Sequence, residues 1–301
     1  MNETMNISMK KISFKWLALI GLVFSSALVT VSSYASESGY PLDPFPKGKL
    51  TDQAALQDGA RTFVNNCLNC HSAASMRYNR LRDIGLTEEQ IRSNLLFTTD
   101  KVGETMKSAL SVKDAKEWFG AVPPDLSVIA RARASGEGSG PDWLYTYLRA
   151  YYRDSTRATG WNNAVYENVG MPHILWEMQG QARGAKIEEI RAVKDAKGMP
   201  DGFTKTEVVF DKNGTRTEKT DKLEGMSHHA SKTITLDTAQ GGLLDKAQYD
   251  EKIANLVAYL TYMGDPTAKN RASIGTWVIL FLCLFTLCAW YMNRLYWKDI
   301  K

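Results

Sequence analysis

The chain has 301 residues, 37 Lys plus Arg against 33 Asp plus Glu, a formal net charge of +4 and 44% hydrophobic residues. These are globular proportions, and they exclude a disordered, collagenous or disulfide-knotted chain. A mean hydropathy of −0.30 excludes a polytopic membrane protein but leaves room for one or two apolar segments.

The first apolar segment is Trp16–Val31. It follows Lys10, Lys11 and Lys15 and leads into Ser33-Tyr34-Ala35. A basic flank, a short apolar run and small residues at −3 and −1 read as a secretory signal over 1–35, cleaved after Ala35. An uncleaved anchor is the alternative, but Ser25, Ser26 and Thr30 interrupt a run already short for a span of about 20 residues.

Pro41, Pro44 and Pro46 predict an extended lead-in over 36–50. Thr51-Asp52 then starts a helix in which Leu56, Ala60, Phe63, Val64 and Cys67 recur at helical spacing. That helix ends in Cys67-Leu68-Asn69-Cys70-His71. A redox dithiol needs a strand-to-helix context, which is absent. A zinc site needs two further ligands, and no second Cys pair supplies them. The motif therefore reads as c-type haem attachment: two thiols add to the haem vinyl groups and the adjacent imidazole becomes an iron ligand. It occurs once, so one covalent haem c is expected. The other two cysteines, Cys283 and Cys288, lie in the second apolar segment and read as small hydrophobes.

A Thr cap followed by acids predicts a helix start within 85–95. Residues 118–125 (WFGAVPPD) form a turn feeding a helix over Leu126–Arg133, and Pro141-Asp142 starts an aromatic helix over Trp143–Arg153. Residues 154–184 read as irregular, with Gly170-Met171-Pro172 among them. Residues 185–235 read as a solvated insertion of balanced charge with a small hairpin about Asn213-Gly214. A stripe of Ile253, Leu256, Val257, Leu260 and Met263 predicts a closing helix, stopped by Gly264-Asp265-Pro266.

Ile274–Met292 follows, apolar and without a formal charge. It is long enough to cross a bilayer as one helix, with Trp290, Tyr291, Tyr296 and Trp297 at its end. Arg294, Lys298 and Lys301 outnumber Lys269 and Arg271, which favours a cytoplasmic C-terminus. The expected organisation is a leader over 1–35, an exported domain over 36–273, an anchor over 274–292 and a cytoplasmic tail over 293–301. The fold class expected is mainly α: a class I cytochrome c-like haem domain with insertions, plus one C-terminal transmembrane helix.

A haem iron in an electron carrier wants both axial positions filled, and a thioether opposite imidazole raises its potential. Met171, between Gly170 and Pro172, sits where a bent backbone can present a side chain to iron. His173 and Met178 are the runners-up. Arg131 and Arg133 read either as partners for the anionic haem propionates or as a solvated face.

With those pieces in place, the chain resembles the cytochrome c1 family, the haem subunits of ubiquinol–cytochrome c reductase, in bacterial form. The resemblance rests on Leu56–Ser72, Met76–Arg80, Gly120–Arg133, Asp142–Tyr151, Met171-Pro172 and the closing helix with its anchor. It implies haem attachment at Cys67 and Cys70 and axial ligation by His71 and Met171. It implies Pro124 lining the haem, Arg133 on a propionate and an aromatic beside the haem at Trp143. Family members often carry Asn where this chain has Phe119, so no polar haem contact is expected there. The implied partners are cytochrome b and a Rieske iron–sulfur protein, a cytochrome c acceptor and the lipid bilayer, in a dimeric complex of the inner membrane with the haem domain in the periplasm. A membrane-anchored monohaem cytochrome c serving a terminal oxidase or dehydrogenase is the alternative.

The opening charge divides along the same map. Residues 1–35 and residues 293–301 are each net +2, so the domain between them carries no net charge. The basicity reports export and membrane orientation, and no nucleic-acid partner is expected.

Overall fold

A computed structural model describes residues 40–194, 200–223 and 229–298. The leader over 1–35 and residues 299–301 of the tail lie outside the described residues.

Two helices from opposite ends of the domain form its centre. Helix α1, Gln53–Asn66, starts at Asp52, whose carboxylate accepts hydrogen bonds from the Ala54 and Ala55 amides. That satisfies two donors the first turn would otherwise leave unpaired. The helix buries Leu56, Ala60, Phe63 and Val64, as its periodicity predicts. Helix α7 is Lys246–Gly264, and a reciprocal Asp245–Gln248 capping box begins it. Its stripe of Ile253, Leu256, Val257 and Leu260 is fully buried. The helices meet at Gly59, where a Cβ would lie 2.1 Å from the Asn255 carbonyl oxygen and 2.8 Å from Tyr259 Cβ. Only glycine allows that approach. Phe63 and Tyr259 pack beside it with ring centroids 5.7 Å apart.

Shorter elements wrap this pair. Strand β1, Ala73–Arg77, pairs antiparallel with β2, Thr105–Met106, and between them lie a 3-10 turn, Tyr78–Ile84, and helix α2, Glu88–Asn94. Thr87 and Gln90 close the capping box of α2. Helix α3, Val112–Phe119, ends at Gly120, whose φ of 72° is a left-handed stop that glycine adopts without strain. Helix α4 is only Ile129–Ala132, shorter than the 126–133 predicted.

The aromatic helix over Trp143–Arg153 needs correction. Helix α5 runs from Gly140 to Tyr147, and Tyr151–Arg153 is a strand, β3, paired with β4, Trp161–Asn163. Tertiary hydrogen bonds take the backbone instead. Arg183 Nη1 donates to the carbonyls of Arg149 and Tyr151, and the Ala164 amide donates to Ala150 O. A one-turn helix α6, Trp176–Gln179, follows.

The insertion is larger than a small hairpin. Strands β5 (Ala185–Lys194), β6 (Pro200–Phe210), β7 (Arg216–Leu223) and β8 (Ser231–Leu236) form one antiparallel sheet in the order β7-β6-β5-β8. Phe210 pairs with Arg216 across the Asn213-Gly214 turn, and Gly214 O accepts from the Ser155 amide and hydroxyl. Among the described residues, apolar burial is confined to the sheet's base, at Ala185, Phe210 and Ile234. The fold class is therefore helical with a substantial β insertion.

After the stop at Asp265, helix α8 spans Ala268–Tyr296. Its segment Ser273–Tyr296 is long and apolar enough to cross a membrane, and none of the most apolar stretch is buried within the chain.

Candidate haem site

The attachment motif continues α1 for one more turn. The Cys67 amide donates to Phe63 O, and the His71 amide donates to Cys67 O at 2.8 Å. Leu68 is buried and ties the motif into the core. Cys67 and Cys70 are free thiols. Burial, reinforced by Cys70, pushes the Cys67 thiol up to about 12, so it is held protonated.

His71 is fixed from across the chain. Its Nδ1 lies 2.7 Å from the Pro124 carbonyl oxygen. A carbonyl can only accept, so Nδ1 carries the proton and the Nε2 lone pair is left for a metal. Burial holds the imidazole below its ordinary pKa, opposed by the Pro124 bond and by Asp125. The Pro124 loop is itself stitched to the motif. Asp125 accepts from the Ala74 and Ser127 amides, Ser127 Oγ accepts from the Ser75 amide, and the Leu126 amide donates to Ser72 O. Ser108 adds another tie, with its hydroxyl on Asn69 O and its amide on Ser72 Oγ.

Met171 is held differently. Tyr147 Oη lies 3.6 Å from its sulfur, Tyr151 Oη lies 3.4 Å from its carbonyl oxygen, and the two phenols are 2.7 Å apart. Burial raises the pKa of both phenols. Trp143 stacks on Tyr147 at 4.7 Å and 14°. The Arg133 guanidinium lies 4.5 Å above Trp143 and 5.8 Å from Tyr166. Among the described residues no carboxylate or carbonyl engages that guanidinium. Stacking commits its face and leaves its N–H edge open to an anion. Arg133, Trp143, Tyr147 and Met171 thus form one continuous column.

The runners-up sit elsewhere. His173 is 2% exposed and stacked on Tyr151 at 4.7 Å and 9°, with Trp161 edge-on. Burial pushes its pKa down to about 3, which keeps it neutral. Met178 packs against the main core. Met76, Met106 and Met263 are buried. Met199, Met226 and His228 lie outside the described residues.

The donor set fits a covalent haem: two free thiols three residues apart and an imidazole with Nδ1 already committed. Large apolar side chains also stand uncovered on both segments. Phe119, Val122 and Val128 flank Pro124, and Ile174 and Trp176 follow Met171, each at least 39% exposed. Such surface suits an apolar macrocycle.

The sequence places Tyr147 and Tyr151 on an aromatic segment and marks neither as a site residue. Their signal was spacing, since Trp143, Tyr147 and Tyr151 recur every four residues. Ser108 and Ser127 carried no signal, because their roles exist only across the fold.

Comparison with known proteins agrees with this chemistry. A sequence model of the Cytochrome C1 family matches residues 46–195. The cytochrome c1 of Allochromatium vinosum is 38% identical, covering 83% of this chain and 86% of that protein. A Nitrosomonas europaea protein named ammonia monooxygenase gamma subunit is 36% identical, covering 97% of this chain and 100% of that protein. The cytochrome c1 of Rhodospirillum rubrum is 25% identical, covering 83% of each. A Cys-Xaa-Xaa-Cys-His turn anchored by its helix, an imidazole oriented by a prolyl carbonyl, and similarity over most of the chain lead to one assignment: the chain belongs to the cytochrome c1 family, whose cofactor is a covalently bound haem c.

Proposed function

We propose that this chain is the electron-relay subunit of a quinol–cytochrome c reductase. It takes electrons from a Rieske iron–sulfur protein beside cytochrome b and passes them to a cytochrome c acceptor. The observation that carries the reading is the 2.7 Å link from His71 Nδ1 to Pro124 O beside two free thiols. The haem supplies a one-electron ferric–ferrous couple when bound.

The chain's own residues do the rest. Cys67 and Cys70 would hold the macrocycle and His71 would present Nε2 to iron. The Pro124 carbonyl holds the imidazole in one orientation and one tautomer, which would keep its rearrangement small. Met171 would offer its sulfur as a second iron ligand. Arg133 offers its N–H edge to a propionate, and Trp143 supports that guanidinium from below. The haem domain over 36–273 stands in the periplasm, anchored by one membrane helix with a cytoplasmic C-terminus, and the complex is a dimer. The signal-like leader and the basic tail support that topology.

Purification from membranes in mild detergent tests the reading. A haem-stained band copurifying with a b-type cytochrome and an iron–sulfur subunit is expected. Copurification with a copper oxidase alone would overturn it in favour of an oxidase-linked monohaem cytochrome. The 36% identity to the protein named for ammonia monooxygenase admits a second reading, relay to a monooxygenase, and recovery with such an enzyme in place of a b-type cytochrome would select it.

A further inference from the structure

We propose that Tyr147 is a positioning residue for the Met171 sulfur: its phenol donates to the thioether, and Tyr151 sets how much of the time it does so. The proposal rests on Met171 being an iron ligand, and it adds a group that biases the iron's oxidation state.

The geometry is specific. Tyr147 and Tyr151 grip one residue at two atoms, the sulfur and the main-chain oxygen, and touch each other between them. Both rings are fixed. Tyr147 lies against Trp143, which carries Arg133 on its other side, and Tyr151 lies against His173. The phenols are 8% and 1% exposed, so bulk water does not compete strongly for their protons.

Proton counting gives the proposal its content. Three contacts join Tyr147, Tyr151 and Met171, but two neutral phenols hold only two protons. If Tyr147 donates to the sulfur, Tyr151 can donate to Tyr147 or to Met171 O, not to both. If Tyr147 donates to Tyr151, the sulfur receives nothing. Tyr151 is therefore a rival acceptor for the proton that would otherwise go to Met171.

A thioether has two lone pairs, so one can serve a metal while the other accepts from a phenol. Accepting draws electron density off the sulfur. A poorer donor stabilises ferric iron less than ferrous iron, so the hydrogen bond favours the ferrous state. Removing the Tyr147 hydroxyl should favour ferric iron. Removing the Tyr151 hydroxyl should commit the Tyr147 proton to the sulfur and favour ferrous iron. Opposite signs from two adjacent phenols are what loosened packing would not produce.

The test is equilibrium redox titration of the full-length chain in its purified complex, comparing wild type, Tyr147→Phe, Tyr151→Phe and Met171→Ala. At a fixed ambient potential, Tyr147→Phe should lower the ferrous-to-ferric ratio about two- to tenfold, the range of one net hydrogen bond. Tyr151→Phe should raise that ratio. Both should keep the sulfur-to-iron charge-transfer absorption, and Met171→Ala should lose it and let carbon monoxide bind the ferrous form. An unchanged ratio in Tyr147→Phe, or a fall in both Tyr variants, overturns the proposal while the ligand assignment stands. If wild type lacks the absorption and Met171→Ala changes nothing, the ligand assignment fails and the proposal goes with it.

Discussion

Helices α1 and α7 meet through side chains that water does not reach: Ala60, Phe63, Ile253, Val257 and Tyr259 are each fully buried. Strands β5–β8 are almost the reverse. Among the described residues only Ala185, Phe210 and Ile234 are buried there, and β7 is exposed along nearly its whole length. One region is held by close packing of apolar surface. The other is held by backbone ladders and clasped at its base, where Phe210 packs on Tyr152 with centroids 5.2 Å apart. The haem motif sits on the first kind of structure. Cys67 caps α1, so any shift of the helix crossing moves the attachment site with it.

Breaking the crossing should therefore have the largest effect. A Cβ at Gly59 would sit 2.1 Å from a backbone carbonyl, which no rotamer relieves. Gly59→Val should cost about 4 kcal/mol or more, the range of severe overpacking. The expected result is loss of the haem-stained band from membranes. A variant that accumulates normally and unfolds at the wild-type denaturant midpoint would show that the crossing is more plastic than its geometry says.

The matching cut in the sheet is Phe210→Ala. Truncating a buried Phe costs about 3 kcal/mol or more. Because the sheet shares so little core with the helices, the loss should stay local. Amide hydrogen exchange should accelerate across β5–β8 and remain slow in α1 and α7. Acceleration of equal size in all of them would make the sheet part of one cooperative unit with the helices.

The same contrast explains what could be read from the chain. The α1 and α7 stripes are period-3.6 patterns of large apolar residues, and α8 is one long apolar run, so each helix was legible. His71 was legible because its chemistry is local in sequence, five residues from Cys67 to His71. The sheet was not. Strand β7 reads Arg-Thr-Glu-Lys-Thr-Asp-Lys-Leu, with no apolar alternation and several residues poorly suited to strands. Only the Asn213-Gly214 turn gave it away. The end of α5 was also hidden, because Arg183, over thirty residues downstream, takes the carbonyls that would have continued a helix. Around Met171, Gly and Pro marked the loop. The phenols that touch its sulfur and its carbonyl oxygen carried no such mark, since nothing in Tyr-Thr-Tyr-Leu-Arg-Ala-Tyr says which ring finds a thioether.

Electrostatics separates the regions again. Asp58 on α1 receives Lys252 at 2.7 Å and Asn255 at 3.0 Å from α7. Burial opposes its ionisation, but those hydrogen bonds and the one from Arg61 outweigh it and hold the carboxyl below the usual carboxylate range. A depressed folded pKa contributes stability that is fully present above the unfolded value of about 3.9 and is lost as pH falls through the lower, folded value. Asp58→Asn should remove that part of the acid dependence and cost about 1–2 kcal/mol at neutral pH. Unfolding midpoints measured from neutral to acid pH check both parts. A variant whose midpoint falls with acid as steeply as wild type would move the acid sensitivity to other carboxylates.

The sheet has an ion network of its own, and it should matter least. Glu188 faces Glu207 directly across β5 and β6, an arrangement of like charges that is unfavourable alone. Lys186 bridges both carboxylates, at 2.9 and 3.4 Å, and Lys205 reaches Glu188 at 3.3 Å. The lysines lower the Glu188 pKa, so the network is charged at neutral pH. Yet all of these groups face solvent, where attraction is screened and the repulsion it offsets is screened equally. Glu188→Gln removes two attractions, to Lys186 and to Lys205, and the Glu–Glu repulsion together. Its unfolding midpoint should match wild type within error at both low and high salt. A clear loss at low salt that disappears at high salt would mean that charge pairing, and not only the ladder and the Phe210 clasp, holds this sheet together.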